Sequence, residues 1–299
     1  MTVRPTRATT GGRAYLDLQN LARRTTRPTD ELHQLYALEG FLARLADSPY
    51  AEKLVLKGGV LLAAYDTRRP TRDVDLQGQN LPNDTGHVLG IIRQVAAMDL
   101  DDGLAFDADE AIAETIRDED DYTGVRVSLT GQLSAARLSL HVDVSVGDPI
   151  RPAPTAVTLP RLLEGEITLI GYPLPMVLAE KLVTAVQRGT ANTRWRDYAD
   201  VYLLTRRHDV DGRDLRTAVE TVAEYRDVRL IPLAEVLDGY AALAQNRWAA
   251  WRRKTRVDDR LPADFGEVVR AASDFLDPIL PSGSSLRKWI ASARAWTTP

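Results

Sequence analysis

The chain has 299 residues, with 38 Lys plus Arg against 42 Asp plus Glu for a net charge of −4, 44% hydrophobic residues and no cysteine. That much apolar material can close a core, which excludes a chain disordered along its length, and the lack of thiols excludes disulfides, thiolate metal sites, iron–sulfur clusters and a cysteine nucleophile. No stretch approaches the roughly 18 apolar residues of a membrane span, and the opening MTVRPTRATTGGR holds no apolar core for a signal peptide, so a cytoplasmic protein with no membrane partner is expected.

In chain order, Thr29 or Asp30 is placed to cap a helix that reaches Ala46, with Leu32, Leu35, Leu38, Leu42 and Leu45 as its apolar stripe. Leu54-Val55-Leu56 reads as a strand that turns at Gly58-Gly59 into a brief helix, Val60 to Tyr65. Asp73-Val74-Asp75-Leu76 alternates polar and apolar like a half-buried strand. A helix is expected over His87 to Ala97, then paired period-two strands at Val125–Leu129 and Leu138–Val146 joined through Gly131, then a short strand at Ile167–Ile170. Beyond Pro175 the texture is helical: Met176–Gln187 closed by Gly189, Trp195–Thr205, Asp214–Glu224, Leu233–Arg253, Phe265–Leu276 and Leu286–Trp296. The expected fold is α+β, with an N-terminal domain over 1–160 built on a mixed sheet flanked by helices, and a mostly helical C-terminal domain over 161–299.

Three features of the first half point to phosphoryl chemistry. Lys57-Gly58-Gly59 sits at a strand-to-helix turn, where glycines let the backbone approach a ligand and free N–H groups favour a phosphate. Asp73 and Asp75, two apart on a strand, point to the same side. Asp143 lies between Val142 and Val144 on a later strand. Three acids on neighbouring strands suit two Mg²⁺ ions about 3.5–4 Å apart for an in-line displacement at phosphorus. Taken singly, an Asp-x-Asp also marks solvated strand edges, a Gly-Gly marks ordinary turns, and Asp143 could be paired with an arginine. No Walker motif, Gly-x-Gly-x-x-Gly or zinc-ligand cluster accompanies them.

A glycine turn, a spaced Asp-x-Asp and a later acid resemble the nucleotidyltransferase superfamily of polymerase-β type. The second half narrows the resemblance: Glu180-Lys181-Leu182 on a helix, followed by Thr193-Arg194-Trp195-Arg196-Asp197-Tyr198-Ala199-Asp200, is similar to the AbiEii/AbiGii-type toxins of bacterial toxin–antitoxin systems, which include the mycobacterial MenT toxins. The resemblance implies a Mg²⁺-dependent toxin that moves a nucleoside monophosphate from an NTP, CTP or UTP being favoured, onto the 3′ end of tRNA, blocking aminoacylation and translation. It also implies a cognate antitoxin as partner. It carries the metal acids over to Asp73 and Asp75, the helix lysine to Lys181, the arginines to Arg194 and Arg196, and the later aspartate to Asp197. Asp143 as a metal ligand rests on spacing. Many relatives have Ser where this chain has Gly59.

A triphosphate brings about four negative charges, for which Lys57, Arg72, Lys181, Arg194 and Arg196 are natural complements beside Gly58 and Gly59. Charge is uneven along the chain: residues 99–121 hold eleven acids and one base, whereas residues 245–260 hold six bases and two acids. Arg252, Arg253 and Lys254 in the latter are expected to meet tRNA phosphates, while Trp248 and Trp251 fit core anchors better than base-stacking platforms. Thr71, in the basic loop Arg68-Arg69-Pro70-Thr71-Arg72, stands two residues before Asp73 and is a candidate regulatory phosphosite. Two alternatives remain at this level: transfer to a protein hydroxyl or a small molecule, and a catalytically silent binding module of the same fold.

Overall fold

The computed structural model describes residues 4–117, 123–281 and 287–297. Two compact units emerge: Met1–Asp148 with Pro154–Tyr172, and Pro149–Ala153 with Pro173–Pro299. The fold is α+β, with a mixed sheet flanked by helices in the first unit and mostly helices in the second.

The first unit opens with α1 (Thr10–Thr25) and α2 (Thr29–Ala46). Neither Thr29 nor Asp30 caps α2. The helix begins behind Pro28 with no side-chain cap, and Asp30 and Glu31 in its first turn meet the positive end of the helix dipole instead. All five leucines of the expected stripe are buried. There follow β1 (Leu54–Lys57), α3 (Gly58–Leu61) with a 3₁₀ turn over Leu62–Tyr65, β2 (Asp73–Gly78), α4 (Thr85–Ala96), β3 (Leu104–Phe106), β4 (Ile112–Arg117), β5 (Thr123–Leu133), β6 (Ala136–Val146), β7 (Thr155–Pro160) and β8 (Glu166–Gly171).

These strands form one sheet in the order β3-β5-β6-β2-β1-β8-β7, with β4 also paired to β5. The pairs β2–β6 and β1–β8 are parallel, whereas β1–β2, β5–β6 and β7–β8 are antiparallel. The β5–β6 hairpin turns at Ser134 (φ 51°) rather than at Gly131, which lies inside β5 opposite Leu138. A Cβ on Gly131 would come within 2.8 Å of the Ala105 carbonyl, so that glycine serves close strand approach rather than a turn. Helix α2 packs on β6 and β8, and α4 on β4 and β5. Arg44, 1% exposed, fastens α2 to the chain beyond α4 by donating to Asp102 at 2.6 and 3.1 Å and to the carbonyls of Met98 and Leu104. Asp102 thus leaves the acidic run as a core ion-pair partner; Asp118, Glu119, Asp120 and Asp121 of that run lie outside the described residues.

The second unit contains α5 (Leu174–Arg188), α6 (Trp195–Leu204), β9 (Val210–Asp211), α7 (Gly212–Tyr225), α8 (Leu233–Val236), α9 (Tyr240–Thr255), α10 (Phe265–Leu276), β10 (Lys288–Ile290) and β11 (Ala295–Trp296). Gly189 closes α5 with φ 49°. Two expectations fail. The helix expected over Leu233–Arg253 is broken at Gly239, whose φ of 71° is left-handed, so α8 and α9 are separate. The helix expected over Leu286–Trp296 is a hairpin in a small sheet of order β11-β10-β9, with Trp289 opposite Trp296 and Leu286 outside the described residues. Both indoles serve the core: Trp289 Nε1 donates to the Thr205 carbonyl at 2.6 Å, Trp296 Nε1 to the Phe275 carbonyl at 2.9 Å, and both rings pack on Phe275. Fixing two indoles against one phenylalanine outweighs the helix preference of the alanines between them.

Candidate active site

The sheet register lines up four charged residues. Lys57 pairs with Asp75 across β1–β2, Asp75 with Asp143 across β2–β6, and Asp143 with Arg126 across β5–β6. Register partners share a face, so the row lysine, aspartate, aspartate, arginine crosses four adjacent strands on one side of the sheet. Asp73, two residues before Asp75, belongs to that same face in the next row, opposite His141, which in turn pairs with Ser128. Ser128 Oγ and His141 Nδ1 are 3.0 Å apart.

Asp143 is gripped at both oxygens: Arg126 Nε donates to Oδ1 at 2.8 Å and Nη2 to Oδ2 at 2.7 Å. Asp75 lies deeper. Burial, then the Asp143 charge, push its carboxyl above the usual range; Lys57 and the Gly59 N–H, which donates to Asp75 Oδ2 at 3.4 Å, pull it back. Lys57 is itself steadied by Asp148 at 3.3 Å and lies 5.8 Å from the Tyr172 ring centre. Gly58 is at φ 69°, and a Cβ there would stand 1.9 Å from Asp75 Oδ2. Gly59 is overlain by the loop before β2: a Cβ on it would meet Thr71 Oγ1 at 2.9 Å and Arg69 Nη1 at 3.2 Å. Thr71 is half-buried and Arg72 exposed.

In the second unit, Lys181 on α5 donates to Asp197 at 3.0 Å and to Asp200 at 2.8 Å, both on α6. Arg194 Nε reaches the other oxygen of Asp197 at 2.8 Å. Lys181 and Asp197, expected in catalysis, and Arg194, expected on the triphosphate, are linked through the Asp197 carboxylate, whereas Arg196 is exposed. Asn192, buried at 1% exposure, holds the turn before α6, accepting at its side-chain oxygen from the Arg194 N–H at 2.8 Å and at its carbonyl from the Tyr240 hydroxyl.

The basic stretch on α9 divides. Arg253 and Lys254 are exposed, but Arg252 is buried and spends its guanidinium on the carbonyls of Asp258 and Leu261, both at 2.8 Å. Arg252 is therefore corrected from a phosphate contact to a structural clamp on the turn after α9, because a head held inside by carbonyls is out of reach of a solvent-borne polyanion. Trp248 is fully buried, donates to the Pro262 carbonyl at 3.0 Å, and stacks on Trp251.

Residues 40–271, well over half of the chain, match the family described as the nucleotidyl transferase AbiEii toxin of a type IV toxin–antitoxin system. The chain belongs to the AbiEii nucleotidyl transferase toxin family. Among solved structures, this AbiEii-family chain is similar to a candidate nucleotidyltransferase from H. pylori (15% identity, 88% of this chain and 96% of that one, TM-score 0.47) and to JHP933 from Helicobacter pylori (15% identity, 88% and 93%, TM-score 0.42). No curated protein matches it.

An AbiEii nucleotidyl transferase uses an NTP, and such enzymes usually take a divalent metal. The chemistry of the donor set fits one: Asp73 and Asp75 offer hard oxygen ligands on one face, and desolvation with the neighbouring Asp143 charge pushes the Asp75 carboxyl up, which a cation would offset. Among the described residues, no group of three or more His, Cys, Asp or Glu side chains is gathered closely enough to hold a metal, and both Asp143 oxygens are engaged by Arg126. The pairing with an arginine that the sequence left open for Asp143 is thus present. Sequence reasoning missed Arg126, Asp148 and the full part of Asp200. Arg126 alternates with Val125 and Val127, a pattern that marks it as facing away from the core but does not give its register against β6. Among the described residues no helix is long and apolar enough to cross a membrane.

Proposed function

We propose that this AbiEii-family chain transfers a nucleoside monophosphate, pyrimidine being favoured, from an NTP to the 3′ end of tRNA, so that the capped tRNA is no longer aminoacylated and translation stops. The observation that carries the chemistry is Asp73 and Asp75 on one sheet face beside a Gly58-Gly59 turn whose first glycine leaves no room for a larger residue against Asp75. In the reaction the terminal 3′ hydroxyl gives up its proton to solvent, its oxygen bonds to the α-phosphorus, the bond from that phosphorus to the oxygen bridging to the β-phosphate breaks, and pyrophosphate leaves with that oxygen and the displaced electron pair. Asp73 and Asp75 would hold Mg²⁺, which when bound neutralises charge on the triphosphate. Lys57, Gly58, Gly59 and Arg72 receive phosphate oxygens in this reading. Lys181, Asp197, Arg194 and Arg196 serve the same transfer, Lys181 being oriented by its two aspartates. Arg253 and Lys254 contact the tRNA backbone. A cognate antitoxin restrains the toxin, and phosphorylation of Thr71, whose hydroxyl lies over Gly59, would put a dianion where the triphosphate is received.

The test is incubation of the purified chain with Mg²⁺, each labelled NTP and total tRNA. Label at the 3′ end of intact tRNA, and none in tRNA whose terminal ribose has been oxidised, is expected. Label in protein or in a small-molecule acceptor would replace the tRNA reading, and no label from any NTP would remove the enzymatic one.

A further inference from the structure

The carboxylate face has a charge balance of its own. Asp73, Asp75, Asp143 and Asp148 face Lys57 and Arg126 within two rows of the sheet and the turn that follows β6. These six side chains sum to two negative charges, with the Arg69 guanidinium close by over Gly59. The two cations are not spread evenly: Lys57 is steadied by Asp148, and Arg126 closes on Asp143 with two short, parallel bonds. A divalent ion at Asp143 would have to sit beside a guanidinium that already uses both of its oxygens, and like charges at that distance repel strongly.

The Arg126–Asp143 pair is not needed to join its strands, because β5 and β6 are paired residue by residue from Gly124↔Ser145 to Leu133↔Ala136. An ion pair whose arginine is 33% exposed adds little to stability. That exposure also gives the guanidinium a way out towards solvent.

We propose that Arg126 is a built-in counter-cation of the site. It holds Asp143 out of metal coordination, so the chain without nucleotide takes one divalent ion at Asp73 and Asp75, and a second reaches Asp143 only when Arg126 has left it. A triphosphate, with about four negative charges, is the ligand able to draw a guanidinium away from a single carboxylate. Arg126 is then a positioning residue that couples entry of the second ion to entry of the nucleotide, and it prevents a fully metal-loaded site from forming before substrate arrives. This inference rests on the metal-dependent nucleotidyl transfer proposed above.

The experiment is Mn²⁺ binding to the full chain without nucleotide, followed by electron paramagnetic resonance and calorimetry. The wild type is expected to bind one ion per chain. Arg126→Gln, which keeps a hydrogen-bonding side chain but loses the charge, is expected to bind Mn²⁺ about tenfold more tightly or to take a second ion. Arg126→Lys, with a single-point cation, should fall between the two and guards against a folding defect peculiar to glutamine. The gain should vanish in Arg126→Gln/Asp143→Asn. Addition of a non-hydrolysable NTP analogue should raise the wild-type stoichiometry from one ion to two. Unchanged or weaker Mn²⁺ binding by Arg126→Gln, with wild-type binding intact, overturns the counter-cation role and leaves the metal assignment standing. Failure of the wild type to bind Mn²⁺ with or without nucleotide overturns the metal assignment and this inference with it.

Discussion

Gly58, at the turn out of β1, and Asp75, within β2, lie so close that a Cβ on Gly58 would stand 1.9 Å from Asp75 Oδ2, 2.5 Å from its Cγ and 2.7 Å from its Cβ. The overlap reaches the root of the aspartate side chain, so swinging the carboxylate aside would not relieve it. Gly58 also has φ 69°, where a non-glycine residue costs about 1–2 kcal/mol. Gly58→Ala is therefore expected to displace Asp75 and abolish nucleotidyl transfer, while lowering the melting temperature only by the few degrees that such a cost implies. Wild-type transfer by a folded Gly58→Ala chain would show that Asp75 is not where the chemistry occurs.

The space a side chain on Gly59 would enter is already held by Thr71, with Oγ1 at 2.9 Å and Cβ at 3.2 Å from the would-be Cβ. Gly59→Ser is expected to overpack this corner at about 1–3 kcal/mol and to slow transfer. Adding Thr71→Ala should relieve the crowding and recover most of both losses, because the hydroxyl then comes from residue 59 instead of residue 71. Thermal unfolding and kcat/KM for the NTP read the two effects. A double variant no better than Gly59→Ser would separate Thr71 from the glycine.

Lys181 has two carboxylate partners on the next helix, and all three side chains are largely buried. Lys181→Ala leaves Asp197 and Asp200 facing a lost cation, and breaking a buried pair from one side typically costs about 3–5 kcal/mol. If Lys181 also meets the triphosphate in the transition state, transfer should fall by about 10²–10³ beyond what unfolding explains. Kinetics at a temperature where the variant is fully folded separate the two. An unchanged kcat/KM there would leave Lys181 as a structural ion-pair residue.

Elements whose side-chain period matched their burial were legible in the sequence. The α2 stripe, the β1 turn into Gly58-Gly59, the β6 alternation and α10 over Phe265–Leu276 all appear where the residues alone place them. The C-terminal hairpin was not, since Leu286–Trp296 has helix-forming alanines and only its docking on Phe275 makes it extended. For the candidate site, the shared face of Asp73 and Asp75 could be read because a two-residue spacing on a strand fixes a face, and the place of Lys57 because it ends a strand before two glycines. Arg126 could not, because its meaning depends on standing opposite Asp143 in a neighbouring strand, and register is set by the whole hairpin rather than by any local signal.

His33 is buried on α2 with its ring 4.7 Å from that of Tyr15, and among the described residues its Nε2 has no hydrogen-bond partner. Burial lowers its pKa below 6.5, against an opposing hydrogen bond from the ring to the Tyr15 backbone and the charge of Asp30. The unfolded chain, titrating at the ordinary value, binds more protons just below pH 6.5 than the folded one. The contribution of His33 to stability is therefore complete above pH 6.5 and is lost as the pH falls through the lowered value. In urea unfolding between pH 7.5 and 5.5, the wild type should lose stability more steeply than His33→Gln. Parallel pH profiles would show that the ring is protonated inside the fold at no cost.

Helix α9 offers a contrast between two arginines that are adjacent in sequence. Arg252 is turned inward to the carbonyls of Asp258 and Leu261, next to a buried Trp248 bonded to the Pro262 carbonyl, whereas Arg253 and Lys254 are exposed. Removing the inward guanidinium leaves buried carbonyls without a donor, which costs about 1–3 kcal/mol for each unsatisfied group. Removing the outward charges costs almost nothing in stability. Arg252→Gln is thus expected to lower the melting temperature, with any loss of tRNA affinity following from unfolding. Arg253→Gln/Lys254→Gln should melt like the wild type yet bind tRNA more weakly at low salt. Each lost phosphate contact should also reduce the steepness of log Kd against log salt concentration by about 0.7–0.9. Affinity for the NTP should be unchanged in the exposed pair. Equal salt slopes for wild type and the double variant would mean that tRNA approaches another face of the protein, and a stable Arg252→Gln would mean that its carbonyl contacts can be replaced by water.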